Sequence, residues 1–217
     1  MKKRLFSLLC ALVLFSSCVG NAPLYSVEAE GRVYEISGSK RRTVIVSEDG
    51  ERLQKLKIKT DGSVGASDGS YGMEVLDLNF DGLADLKIAV SANGELISEA
   101  CYLQNPETGL YEKSPALAQL YTIGVVAEQK LVLSYFGVTE DPSSGVTTDA
   151  VVAYTWQGDG LIPYRKLTLT YYPATDLYCY GVADYIDTAL AFDEPRENWL
   201  TLEEFEETDW GFFYYFR

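Results

Sequence analysis

The chain has 217 residues, with 18 Lys and Arg against 32 Asp and Glu, a formal net charge of −14. Apolar residues make up 47% and charged residues 23%, which excludes a disordered chain, a collagen and a coiled coil. The absence of histidine excludes imidazole-dependent nucleophilic catalysis and histidine-ligated zinc, and a pI near 4.4 argues against a nucleic-acid partner.

The N-terminus reads as an export signal. Met1-Lys2-Lys3-Arg4 is basic, and Leu5 to Phe15 is apolar apart from Ser7. That run is shorter than the roughly 20 residues a membrane-spanning helix needs. It ends in Phe15-Ser16-Ser17-Cys18, and small residues directly before a cysteine resemble a bacterial lipobox, in which the cysteine is acylated. The alternative is an ordinary signal peptide cut near Gly20. Residues 1–17 are therefore assigned as a lipoprotein signal peptide and 18–30 as the lipidated Cys18 and its tether. Residues 31–217 are assigned as a single β-rich, calcium-binding domain. Cleavage leaves 15 basic and 32 acidic residues, a net charge of −17. No later apolar run approaches transmembrane length.

Beyond the signal the pattern is strand-like. Arg32–Ile36 alternates in part, Thr43–Val46 is β-branched, and from Lys55 to Lys59 lysines alternate with Leu56 and Ile58. Further strands are expected over Met73–Leu78, Asp85–Ser91, Leu96–Leu103, Lys130–Phe136, Val151–Trp156, Tyr164–Tyr172 and Leu177–Tyr185. Turn signals such as Asp49-Gly50, Asp61-Gly62, Asn93-Gly94 and Gly158-Asp159-Gly160 separate them, since Asn, Asp and Gly supply the positive φ of tight hairpins. The expected fold is an all-β antiparallel meander. Lys40-Arg41-Arg42 reads as a polar turn between strands, or as a docking point for an acidic partner.

Residues 77–85 carry the sharpest motif. Oxygen-bearing side chains Asp77, Asn79, Asp81 and Asp85 fall at positions 1, 3, 5 and 9, and Gly82 stands at 6. This spacing lets a loop wrap a hard cation, with the Leu83 carbonyl adding an oxygen. Three carboxylates and an amide suit calcium better than magnesium. Ile88 at position 12 and strand-like flanks depart from an EF-hand. The alternative is an ion-free turn in which Asp and Asn bond their own backbone.

The DxNxDGxxD loop resembles the calcium loops of FG-GAP propeller repeats. With Asn105-Pro106-Glu107-Thr108-Gly109-Leu110-Tyr111, then Leu117, Leu120 and Tyr154-Thr155-Trp156, the resemblance extends over about residues 32–172 to a bacterial FG-GAP-like exported family. It implies an incomplete, propeller-like β fold and a structural calcium. Some members of that family inhibit lysozyme-like effectors in the periplasm. Only one DxNxDG loop is present here, and no inhibitory insertion is matched.

With Cys10 removed and Cys18 lipidated, Cys101 and Cys179 remain, either as a disulfide or as two buried thiols. Tyr171, Tyr172, Tyr178 and Tyr180 are expected in the core, or else as an exposed strip that stacks on sugars or protein. Thr201 and Glu204 form a candidate capping box for one short C-terminal helix. The acids Glu203, Glu204, Glu206, Glu207 and Asp209 read as its solvated face. The aromatic tail, Trp210 to Phe216, is expected to pair as a last strand.

These readings converge on a non-enzymatic, lipid-anchored protein of the bacterial cell envelope, periplasmic or surface-exposed, expected to meet the membrane through its N-terminal lipid only, with its acidic domain not lying on the bilayer. It binds a protein partner, in one specific version a basic lysozyme-like enzyme that an acidic surface would steer. The alternatives are a carbohydrate-binding or substrate-capture lipoprotein and a carboxylate-dependent glycoside hydrolase. The latter needs two acids facing each other about 5–10 Å apart.

Overall fold

The computed structural model describes residues 23–38, 41–64, 72–93, 96–186, 189–191, 198–201, 203–204 and 207. The signal segment, Cys18 and the aromatic tail expected to pair lie outside the described residues. Period-two alternation sets the first sheet. β1 (Tyr25–Ala29), β2 (Arg32–Ser37), β3 (Arg41–Glu48) and β4 (Glu51–Lys59) pair antiparallel in chain order. In β2 and β3 buried and half-buried residues alternate, so Tyr34, Ile36, Val44 and Val46 all point inward. The β3–β4 hairpin closes on Asp49 at φ 51° and Gly50 at φ 79°, the left-handed pair a two-residue turn requires.

β5 (Met73–Leu76), β6 (Asp85–Asn93), β7 (Leu96–Gln104) and β8 (Tyr111–Lys113) form a second four-stranded meander. The third sheet runs from β9 (Ile123–Val126) through β10 (Leu131–Glu140), β11 (Thr147–Gln157), β12 (Gly160–Tyr172) and β13 (Leu177–Ile186) to β14 (Ala189–Ala191). β15 (Asn198–Leu200) also pairs with β13. Pro163, which cannot donate to a ladder, sits where the β11–β12 register slips.

Sheets one and two pack face to face. Ile36, Val44, Val46, Leu56 and Ile58 meet Met73, Leu86, Ile88, Ala100 and Tyr111 in one cluster. Fully burying such an aliphatic side chain contributes roughly 1.5–3 kcal/mol, so this shared face sets the register of both sheets. The far side of sheet two meets sheet three through Leu78, Cys101, Leu117, Ile123 and Val132. A third cluster, with Leu131, Leu133, Val151 and Leu167, lies on sheet three, with Leu96 of β7 packed against it.

The all-β, antiparallel meander expected from the pattern is the observed fold. Three local readings change. Residues 25–29, expected in the tether, are an edge strand paired with β2. The strand expected over Met73–Leu78 ends at Leu76, where the acidic loop begins. Arg42, expected in a polar turn, is buried and donates to the carbonyls of Ala89 and Val64, bolting sheet one to its neighbour. At the C-terminus the capping box forms. Thr201 N–H donates to Glu204 Oε2 at 2.8 Å, and Glu204 N–H donates to Thr201 Oγ1 at 3.3 Å.

Between sheets two and three lies a buried ion pair. Lys87 Nζ donates to the Ile123 carbonyl at 2.6 Å and stands 3.4 Å from Glu99 and 3.1 Å from the more exposed Glu74. Glu99 in turn accepts from Ile123 N–H. Burial works against the charge on Lys87, but the two carboxylates outweigh it and hold the ammonium above its ordinary value.

Candidate functional site

The loop between β5 and β6 folds on its own side chains. Asp77 accepts from the N–H groups of Asp81 at 3.2 Å and Gly82 at 2.9 Å. Asn79 Oδ1 accepts from Asp81 N–H, while Asp81 accepts from Leu83 N–H and from the Asn79 amide. Phe80 at φ 63° and Gly82 at φ 87° supply the two left-handed residues that curl the chain. Asp77, Asn79 and Asp81 therefore share one turn, with their side chains drawn toward its backbone.

Asp85 is placed differently. It is fully buried and accepts from Leu78 N–H and Gln104 N–H, each at 2.8 Å. Burial pushes its carboxyl up to about 6. The two N–H donors oppose that rise, and the charges of Asp81 and Asp77 add to it. Asp85 thus clamps the base of the loop to the end of β7. Among the described residues no three acidic or thiol side chains are grouped closely enough to cage a metal by themselves.

The loop is also a junction of all three sheets. Trp156 of β11 donates its indole N–H to the Leu78 carbonyl at 2.9 Å. Ala84 N–H donates to Glu30, in the β1–β2 turn, at 3.2 Å. The Ala84 carbonyl accepts from the Tyr111 hydroxyl at 3.0 Å. Tyr111 is the hub of a buried polar network. Its hydroxyl lies 2.7 Å from that of Tyr34, 3.2 Å from Gln104 Oε1 and 3.5 Å from Arg32 Nη1. Its backbone makes both hydrogen bonds of the Gln54 amide. Burial and the bond to Tyr111 raise the Tyr34 phenol well above its ordinary value. Arg32 also donates to the Gly109 carbonyl and to Glu48. The Asn105–Tyr111 segment thereby acquires a physical account. Asn105 accepts from Glu107 and Thr108 N–H to form the turn, Gly109 takes φ 68° and admits Arg32, and Tyr111 enters the core.

Beside the loop opens a cleft of about 340 Å³, lined by Asn79, Asp81, Asn105, Glu112, Trp156 and Asp159 among others. These residues come from three separate hairpins, so no sequence window contained them. Cys101 is buried beside Leu78 and Val132, whereas Cys179 lies on β13 opposite Thr170, and no disulfide joins them. Of the two alternatives the structure has the buried thiols: Cys101 and Cys179 are both free and buried. Burial, with the charge of Glu99, pushes the Cys101 thiol up to about 12. Tyr171 and Tyr178 pair across β12 and β13 with ring centroids 4.9 Å apart, and with Tyr172 they are half-buried. The side chain of Tyr180 lies outside the described residues.

This is an all-β protein of antiparallel meanders joined at one acidic loop. Its fold is similar to that of a Xanthomonas protein described as type IV secretion system related. The TM-score is 0.53 at 11% identity, covering 80% of this chain and 93% of the other. At that identity the likeness shows the fold. No family model matches the chain, and no curated protein matches it by sequence. Among the described residues no helix is long and apolar enough to cross a membrane.

Proposed function

We propose that the chain is a lipid-anchored envelope protein that binds another protein, with a structural calcium in the 77–85 loop. The single observation that carries the calcium reading is the loop's position. It joins three sheets through Trp156, Glu30 and Tyr111 while concentrating three carboxylates in nine residues. The donors are all hard oxygens, which fits calcium. Asp77, Asn79, Asp81 and the Leu83 carbonyl would hold it, with Asp85 at the buried base. The ion would neutralise the loop and fix the cleft beside it.

Binding is favoured over hydrolysis by what the buried acids do. A glycosidase needs a buried carboxylic acid facing a second acid across a cleft. Asp85 is engaged by two backbone N–H groups, Glu99 by Lys87 and Ile123, and Asp149 by the Tyr135 hydroxyl. The partner favoured by the −17 net charge is basic, and the resemblance to exported FG-GAP-like inhibitors points to a lysozyme-like, cell-wall-cleaving enzyme. The half-buried Tyr171–Tyr178 pair offers less support to a flat sugar-stacking platform.

The test has two readouts on the chain from residue 19. Millimolar calcium is expected to raise the melting temperature over EDTA by about 5–10 °C at saturation of roughly 100 times Kd, and Asp81→Ala abolishes the shift. Stoichiometric protein is expected to suppress peptidoglycan clearing by a basic lysozyme-like enzyme. An absent calcium shift in a folded, metal-stripped sample refutes the ion site. Undiminished clearing by a panel of such enzymes refutes the inhibitor reading.

A further inference from the structure

The fifteen basic residues left after processing at Cys18 are unevenly placed. Lys55, Lys57 and Lys59 are exposed on one face of β4, because Leu56 and Ile58 between them point into the core. Arg41, exposed at the start of β3, pairs in register with Lys59. The residues opposite Lys57 and Lys55 are Thr43 and Ile45, so the strip has no acid directly across from it. The acids of this outward face, Glu28 and Glu35, stand on β1 and β2. Among the described residues no carboxylate forms an ion pair with any of these four cations. A chain of net −17 thus carries one face with an excess of positive charge.

The same sheet receives the N-terminal leader. Tyr25 pairs with Ile36, Ile36 with Val44, and Val44 with Leu56, so the chain enters on the rung flanked by Lys55 and Lys57. Three strand spacings separate that entry from the lysines, about 14 Å. The stretch from Cys18 to Leu24 spans at most about 24 Å when extended. An anchor at Cys18 therefore keeps the first sheet, which the leader enters, within reach of the bilayer surface.

We propose that the outward face of the first sheet docks on anionic phospholipid headgroups, with Lys55, Lys57, Lys59 and Arg41 as the contact cations. The proposal rests on Cys18 being lipidated, which supplies the proximity. The overall negative charge does not forbid it. Charges more than a Debye length of about 8 Å from the surface are screened at physiological salt, so the nearest face decides the sign. Each basic residue at such a surface strengthens attachment about fivefold. Lysines on the edge strand β4 also deter strand-to-strand aggregation, but that role predicts no salt-sensitive preference for anionic vesicles, whereas docking does.

The experiment uses the chain from residue 19, which keeps every described strand, and two sets of vesicles. One is pure phosphatidylcholine and the other contains a third phosphatidylglycerol. Binding at low salt is expected to be at least tenfold stronger to the anionic vesicles and to be lost at 0.5 M salt. Lys55→Glu/Lys57→Glu/Lys59→Glu should abolish the preference at an unchanged melting temperature. The milder Lys→Gln triple variant, read the same way, should weaken it and covers the case in which charge reversal unfolds the sheet. Equal binding to both vesicles, or a preference that survives in the folded variants, overturns the proposal. Mass spectrometry of the exported full chain reads the acyl group on Cys18 separately. Its absence would refute the anchor while leaving the vesicle preference to be judged alone.

Discussion

Removal of the Tyr111 hydroxyl tests the claim that one buried network locks the sheets around the acidic loop. Tyr111 is 3% exposed and Tyr34 0%. The Tyr111 oxygen accepts from Arg32, shares a hydrogen bond with the Tyr34 hydroxyl, and lies within donating distance of the Ala84 carbonyl and Gln104 Oε1. Tyr111→Phe therefore strands the Tyr34 hydroxyl and the Ala84 carbonyl in the interior. A buried polar group left without a partner costs roughly 1–3 kcal/mol, so the expected loss is about 3 kcal/mol. For a domain of this size that lowers the melting temperature by roughly 6–12 °C. Tyr34→Phe leaves Tyr111 its other partners and costs only about 1 kcal/mol. The double variant strands one group fewer than Tyr111→Phe, and is expected to be no less stable than that single change. The assay is urea unfolding of the three variants, read as a double-mutant cycle. Additive losses, or a Tyr111→Phe loss below about 0.5 kcal/mol, would refute the network as described.

Two further outcomes follow from buried groups. With the thiol of Cys101 held near 12 and Cys179 also buried, the native chain from residue 19 should react negligibly with a thiol reagent at pH 8. Once unfolded in guanidinium without reductant it should release both thiols. Rapid native labelling, or no thiols after unfolding, contradicts the arrangement. Lys87→Met leaves Glu99 buried without its cation, an expected cost of about 3–5 kcal/mol, and adding Glu99→Gln recovers part of it. Because Lys87 is held above the ordinary lysine value of 10.5, its contribution is fully present below that pH. It fades as pH rises through the higher folded value. Chemical denaturation at pH 9 and above pH 11 should show a larger loss in the wild type than in Lys87→Met.

Local rules settled much of this protein at the level of sequence. Alternation placed Leu56 and Ile58 inward and the β4 lysines outward, and Asp49-Gly50 fixed a two-residue hairpin. The Asx-rich spacing of Asp77, Asn79 and Asp81 produced a tightly curled loop. Thr201 and Glu204 found each other across three residues. In each case the partners lie within a few positions, so residue type and spacing suffice. What tertiary structure alone decided involves partners far apart in the chain. Asp85 turned from the loop toward Gln104, Arg42 left its turn for the Ala89 carbonyl, and Tyr111 joined Tyr34 to Ala84. Cys101 and Cys179 went to separate sheets, and the cleft drew its walls from three hairpins. A period-two pattern says which side of a strand is buried but not which sheet will cover it. That choice comes from packing one apolar face on another, and the buried polar groups then take whatever partners the packing brings within reach.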